Sequence, residues 1–151
     1  MAKTGIFCVK NSVEEFHKSL LKKSNIIGAG LARDVYSIYA NAQRQRWMTE
    51  NNSEGKHWDN LSEPYKTYKR KKFAQYPGGG SKMLVATGTL FKSVTGEDLT
   101  YHRRIVEKNS ITISTTLPYA VYVVETRPFM EFSDKTENKI RDRLIKYYFY
   151  E

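Results

Sequence analysis

Apolar side chains recur at helical intervals in three long runs of this 151-residue chain. The first run is Val13, Phe16, Leu20 and Leu21, with Lys18, Lys22 and Lys23 on other faces; Ser12 followed by Glu15 has the spacing of a capping box. Ser24-Asn25 offers a break. The second run is Ile27, Leu31, Val35, Ile38, Tyr39 and Ala42, continuing toward Trp47. Gly28 and Gly30 each weaken its first turn by roughly 1 kcal/mol relative to alanine, so the helix is expected over residues 31–49. Residues 10–49 are thus two helices or one long broken one. In the third run Ser133 reads as an N-cap, Asp134 and Glu137 fall in the first turn, and Ile140, Leu144, Tyr147 and Tyr148 form one stripe. A shorter helix is expected after Gly88, from Leu90, Phe91 and Val94.

The period changes to two over residues 101–106 and 111–117, clearest in Ile111 and Ile113 against Thr112 and Ser114. Residues 107–110, with Asn109, suit a hairpin turn. Residues 119–124 are continuously apolar, which fits a strand or a helix. Arg127-Pro128-Phe129 is extended, because proline disfavours helical backbone at the residue before it. The order of elements argues α+β: N-terminal helices, an antiparallel sheet of about three to five strands, and a C-terminal amphipathic helix.

Residues 50–82 have no apolar period. Asn51-Asn52-Ser53-Glu54-Gly55 is turn chemistry, and Pro64 and the 77–81 glycine string read as stops. Between them lie Lys66, Lys69, Arg70, Lys71 and Lys72, interleaved with Tyr65, Tyr68 and Phe73. The expectation is one domain over 1–151, with a helical region at 10–49, a long basic loop at 50–82 holding at most one helical turn, and sheet plus helix at 83–151. A structureless stretch of that length is usually functional.

Composition sharpens this picture. Hydrophobic residues at 40% support a core, and the net charge is +9. The excess is uneven: residues 1–82 hold 15 of the 25 basic and 7 of the 16 acidic side chains. The first half therefore expects an anionic partner. Cys8 is the only cysteine, which excludes an internal disulfide and a cysteine-based zinc cluster. The apolar stretch at 6–9 is too short for a signal peptide, and the uncharged run at 24–32 is too short to span a bilayer, as is every other uncharged run of the chain. These features suggest a soluble protein of a reducing compartment, a cytoplasm or a virion, with no membrane partner. The chain carries 11 Tyr, 7 Phe and 2 Trp. Tyr147, Tyr148, Phe149 and Tyr150 are consecutive, and one helix cannot bury all four on one side. Tyr147, Tyr148 and Tyr150 are therefore candidates for an aromatic subunit interface.

Catalytic patterns are missing. His17, His57 and His102 lie in unlike contexts and show no i, i+4 pair. Gly78-Gly79-Gly80-Ser81-Lys82 lacks the spacing of a phosphate loop, and Gly28-Ala29-Gly30 lacks the third glycine and preceding strand of a dinucleotide site. Asp134, Glu137 and Asp142 suit an ion-paired helix face better than an acid–base pair. Cys8 reads as a small hydrophobe. The expectation is a non-enzyme without cofactor or metal; a hydrolase would have to rely on His57 and Asp59. Lys66, Lys69, Arg70, Lys71, Lys72 and Lys82 are the candidate interface or DNA-facing cations. Each neutralised phosphate would add about −0.9 to the slope of log affinity against log salt, and the tyrosines could stack on bases. Nucleic acid, an acidic protein surface and a merely solvated loop all remain open.

Four motifs occur in a telling order. They are Gly55-Lys56-His57-Trp58-Asp59-Asn60-Leu61-Ser62 with Tyr65 and Lys69; Leu84-Val85-Ala86-Thr87-Gly88-Thr89-Leu90 with Ser93-Val94; Tyr119-Ala120; and Arg127-Pro128-Phe129 before the last helix. Over about residues 40–148 this resembles the phage virion morphogenesis or tail-completion family of tailed bacteriophages. Two departures stand out: after Tyr119-Ala120 only Glu125 remains of the family's His-Gln or His-Glu plus Gly element, and the stretch before Arg127 is short. The resemblance implies a structural virion protein made in the host cytoplasm and placed at the head–tail neck. It would form a ring, often sixfold, that completes the tail or joins it to the head. Its partners would be further copies of itself, a neck or connector protein, a tail-tube or terminator protein, and genomic DNA in the lumen.

The implied fold is an antiparallel sheet with flanking helices. Trp58 and Leu61 would anchor the loop base in a pocket. Gly88 would stand where a side chain clashes or φ is positive, with Leu90 behind it. Tyr119 and Phe129, next to Pro128, would pack the sheet against the last helix. Arg127 would pair with an acid across an interface, and the 77–81 linker would let the basic loop order only on assembly. The alternative is a stand-alone nucleic-acid-binding module using residues 65–73.

Overall fold

The computed structural model describes residues 7–8, 28–107 and 110–150, with backbone alone for Phe7, Cys8 and Tyr150. The expected helix at 13–23, His17, and the centre of the 107–110 turn lie outside the described residues, as do the side chains of Cys8 and Tyr150.

The elements in chain order are β1 (Phe7–Cys8), α1 (Ala29–Thr49), α2 (Glu63–Phe73), α3 (Thr89–Thr95), β2 (His102–Val106), β3 (Ile111–Thr115), α4 (Ala120–Thr126) and α5 (Asp134–Tyr150). This is an α+β fold, as the order of periodic segments requires. The antiparallel sheet runs β1-β3-β2. It is smaller than the pattern suggested, being essentially the β2–β3 hairpin with a two-residue strand added to the far edge.

Helix α1 buries Leu31, Val35, Tyr39 and Trp47 of the stripe its period predicts, leaves Ile38 and Ala42 half-buried, and also buries the polar Gln43 and Arg46, which the apolar period did not mark. It packs against α5, whose Ile140 and Leu144 are buried and whose Tyr147 and Tyr148 lie partly buried against the same core. Ser133 caps α5 through its Oγ, which accepts the Thr136 N–H at 3.2 Å. Helix α3 sits between α1 and the hairpin, where Ser93 and Thr115 share a buried hydroxyl–hydroxyl bond of 2.9 Å.

One segment departs from expectation, and the structure decides another that the pattern left open. Residues 63–73 form three turns of helix instead of an extended basic loop. Pro64 starts this helix rather than stopping one, because a first-turn N–H has no intrahelical partner to lose. Its only buried residue is Lys69, so no apolar stripe announced it. The continuous apolar run resolves as helix α4, which buries Ala120 and leaves Tyr119 and Tyr122 exposed. Tyr119 therefore does not pack the sheet against α5.

Aromatic rings from four segments meet at the base of the core. Trp47 lies 5.7 Å from Trp58, 5.8 Å from Phe91 and 5.3 Å from Phe129, centroid to centroid. Nearby, Tyr39 is buried and its hydroxyl finds no partner among the described residues. Burial pushes its pKa well above the ordinary 10.0. The folded chain thus keeps a proton that the unfolded chain releases above about pH 10, and stability falls as pH rises beyond that point. Tyr39→Phe should leave stability near neutrality unchanged or higher, since it removes an unpaired buried hydroxyl, and should make the alkaline loss shallower. Urea midpoints from pH 7 to pH 11 measure this; a steeper alkaline limb in the variant would refute it.

Candidate functional site

The residues singled out by motif are assembled by two devices, a clamp and a groove. The clamp ties the 54–62 segment to residues 127–129, about 70 positions later. The Trp58 indole N–H donates to the Pro128 carbonyl at 3.1 Å. Arg127 donates from Nη2 and Nε to the Asp59 carbonyl at 3.0 and 3.3 Å. Buried Arg46 reaches from α1 to the Phe129 carbonyl at 2.5 Å. Trp58 does anchor its loop, and Phe129 is fully buried. Within the chain, Arg127 is engaged with a backbone oxygen. Burial holds the Arg46 pKa below its usual value, which marks a cation that needs its carbonyl partner.

The groove opens beside this clamp and measures about 550 Å³. Tyr65 and Lys69 of α2 form one wall; Tyr119, Tyr122, Val123 and Thr126 form the other with Arg127. The 84–90 segment, with Gly88 and Leu90, supplies its floor, and Leu61 is part of the lining. Gly88 has φ +86°, and a Cβ there would meet only the far end of Lys92, so backbone conformation and not crowding calls for glycine. Leu90 is buried directly behind it. Thr87 belongs to the Thr-Gly motif, whereas the sequence marks neither Thr126 nor Tyr122 as a site residue. Tyr122 stands one helical turn from Tyr119, a signal available once 119–124 is read as helix.

The six candidate cations do not form one continuous exposed surface. Lys69 is 3% exposed and donates to the Lys82 carbonyl. Burial lowers its pKa, with Glu50 opposing that shift. Lys82 donates to the Met48 carbonyl at 3.1 Å. Lys66 pairs with Glu63 at 2.7 Å and, with Arg70, faces a second cavity of about 310 Å³ beside Glu50 and His57. Lys71 and Lys72 are exposed, and Lys72 lies over the Tyr68 ring at 5.2 Å; contact with the Tyr68 hydroxyl raises its pKa. Tyr65 and Tyr68 are themselves stacked, 6.0 Å apart. The surface that α2 offers an anion is therefore Arg70, Lys71 and Lys72 with exposed rings, not a mobile run of five cations.

The 77–81 string is no loose linker. Gly79 is buried against the Ala86 and Phe73 carbonyls, and its N–H donates to the Tyr76 carbonyl at 2.8 Å. The turn thus seals the end of α2 onto the groove floor. Tyr147 and Tyr148 stack edge to face on α5 at 5.3 Å and take no part in the groove, while Phe149 is exposed.

His57 Nδ1 lies 2.8 Å from the Trp58 carbonyl, and its Nε2 is 3.8 Å from Glu50. Among the described residues no three His, Cys, Asp or Glu side chains are grouped to hold a metal ion, and no helix is long and apolar enough to cross a membrane. The groove offers an apolar floor, exposed tyrosine edges and threonine hydroxyls beside a cationic helix. No protein-family model, curated protein or solved structure matches the chain.

Proposed function

We propose that the chain is a structural protein of a tailed-phage virion, a non-enzymatic ring subunit at the neck that completes the tail or joins it to the head. The observation that carries this reading is the convergence of the motif residues. Trp58 bonds to Pro128, Arg127 bonds to Asp59, and Leu61, Gly88, Leu90, Tyr119 and Arg127 border one groove. Motifs that resemble one family and lie up to 70 residues apart would meet in this way if they act as a unit. The groove's exposed aromatic rims suit a neighbouring subunit, since tyrosine combines an apolar ring with a wet hydroxyl. A ring is built from unlike patches meeting head to tail, each on the order of 800 Å² per partner. The groove and the α2 face would be one such patch, with Arg70, Lys71 and Lys72 turned toward an acidic neck protein or the DNA in the lumen.

The test is incorporation. Tyr119→Ser and Tyr122→Ser alter rings 45% and 72% exposed. Each should shift unfolding free energy by less than about 0.5 kcal/mol. Together they should lower the copy number in purified particles by about tenfold, the usual effect of losing central interface aromatics. Absence of the wild-type chain from purified particles would end the proposal. Salt-dependent binding of the isolated chain to nucleic acid, lost when Arg70, Lys71 and Lys72 are neutralised, would favour a stand-alone nucleic-acid module instead.

A further inference from the structure

The β2 strand ends the sheet, and among the described residues nothing pairs with its outer edge. Its hydrogen-bond parity follows from the ends of the hairpin. Thr116 N–H donates to the Tyr101 carbonyl and Glu107 N–H to the Ser110 carbonyl, each at 2.8 Å. Bonded and non-bonded pairs alternate along an antiparallel ladder. Residues 101, 103, 105 and 107 therefore direct their backbone groups at β3, and His102, Arg104 and Val106 direct theirs outward. Side chains alternate across the sheet in the same rhythm. His102 is buried against the core and Arg104 lies over the Tyr36 ring at 4.7 Å. Arg103, Ile105 and Glu107 stand exposed on the opposite face.

An unprotected edge of this kind is a template for another strand. Here it also carries exposed apolar side chains, Ile105 at 52% and Val106 at 43%. The residues on the outer face select the strand that fits. Read from either end, Arg103, Ile105 and Glu107 place a cation, an apolar centre and an anion. A two-fold axis through Ile105 sets Ile105 against its own copy and Arg103 against Glu107 of the other chain, twice. These are the closely spaced, non-hydrogen-bonded positions, where side chains touch best. In the same register, Arg104 and Val106 of one copy face Val106 and Arg104 of the other and exchange their outward N–H and carbonyl groups. An axis through Arg103 or Arg104 would set like charges face to face.

Both members of the cross-strand ion pair keep capacity for it. Arg103 uses Nη1 on the carbonyls of Leu99, Thr100 and His102, which leaves Nη2 and Nε directed elsewhere. Glu107 accepts from the Ser110 hydroxyl through one carboxylate oxygen, and among the described residues no hydrogen bond engages the other.

We infer that the outer edge of β2 is a self-recognition site, through which two copies of this chain pair antiparallel about Ile105. Such a contact closes on itself and cannot be passed around a one-sided ring. It belongs to the free chain, and assembly into a ring needs other surfaces.

Sedimentation velocity of the full chain over a wide concentration series reads this directly, with a reversible monomer–dimer equilibrium as the expected result. Arg103→Glu brings two acids together at both ends of the axis and should raise the dissociation constant by about tenfold. Adding Glu107→Arg to that variant restores the complement in reversed sense and should restore the dimer. Circular dichroism of each variant checks the fold, and the double variant decides the matter even where the single one is destabilised. A chain that stays monomeric at every attainable concentration overturns the inference. So does a dimer indifferent to Arg103→Glu, or a monomer that captures an acidic extended peptide at this edge. Particle incorporation is scored separately: an Arg103→Glu chain that is monomeric yet enters particles normally separates this contact from the ring contact.

Discussion

Phe129→Ala is expected to cost about 3–5 kcal/mol of unfolding free energy, a large share of the 5–15 kcal/mol typical of a domain. The ring has 0% exposure, and its removal leaves a cavity among Trp47, Met130 and their neighbours. Those neighbours belong to different segments, α1 and the chain after α4, so no single local shift can close the gap. The substitution also loosens the backbone oxygen that partners buried Arg46, and a buried cation without its acceptor is costly. Phe129→Leu keeps most of the volume and should cost less than half as much. Urea unfolding followed by tryptophan fluorescence suits the measurement, because Trp47 and Trp58 both report on the hub. A loss below about 1 kcal/mol for the alanine variant would mean that the hub does not hold the clamp together.

Gly79→Ala is the second large effect, and its origin is steric rather than hydrophobic. A Cβ at this position runs into the carbonyl oxygens of Ala86 and Phe73, both backbone atoms that no rotamer change can move. The 77–82 turn must lift, which carries the Lys82 carbonyl away from Lys69 and leaves a buried ammonium without its acceptor. The expected cost is about 2–4 kcal/mol, with fraying of α2 and of the groove floor. Gly30→Ala is the matched control. It lies in α1, where an added Cβ would meet nothing within 4 Å, so it should stabilise by up to about 1 kcal/mol. Hydrogen exchange of the α2 amides distinguishes local loosening from global unfolding. Equal stability of the two glycine variants would refute the account of Gly79.

The contrast between these glycines also marks how far sequence reading reaches. Both glycines look alike in the chain, and the 77–81 string reads as a flexible linker. Only the fold brings the Ala86 and Phe73 carbonyls against Gly79. Pro64 raises the same difficulty: a proline stops a helix interior but opens a helix start, and which it does depends on whether residues 65–73 are helical. Their helix is anchored by a lysine reaching a carbonyl 13 residues away, an interaction that no apolar period records.

The candidate site was partly legible. Trp58, Leu61, Gly88, Leu90, Arg127 and Phe129 were marked by motif, and the structure gives each a place in the clamp, the groove or the core behind it. Their partners were not legible. Arg127 bonds to a peptide carbonyl, Lys69 is buried, and Tyr122 of α4 forms a groove wall. Backbone carbonyls carry no residue identity, so a side chain that ends on one leaves no trace in its partner's sequence.

Local pattern alone determined α1, α3, α5 and the β2–β3 hairpin, because each helix buries a stripe that repeats within a few residues and the hairpin strands alternate on either side of a short turn. It also determined the α+β class and the uneven positive charge. Tertiary structure alone decided the state of residues 63–73 and 119–124, the clamp, the groove and the β2 edge that no described residue pairs with. Those depend on contacts between segments tens of residues apart, whose geometry is set by how the helices and hairpin pack and not by the spacing of side chains within any one of them.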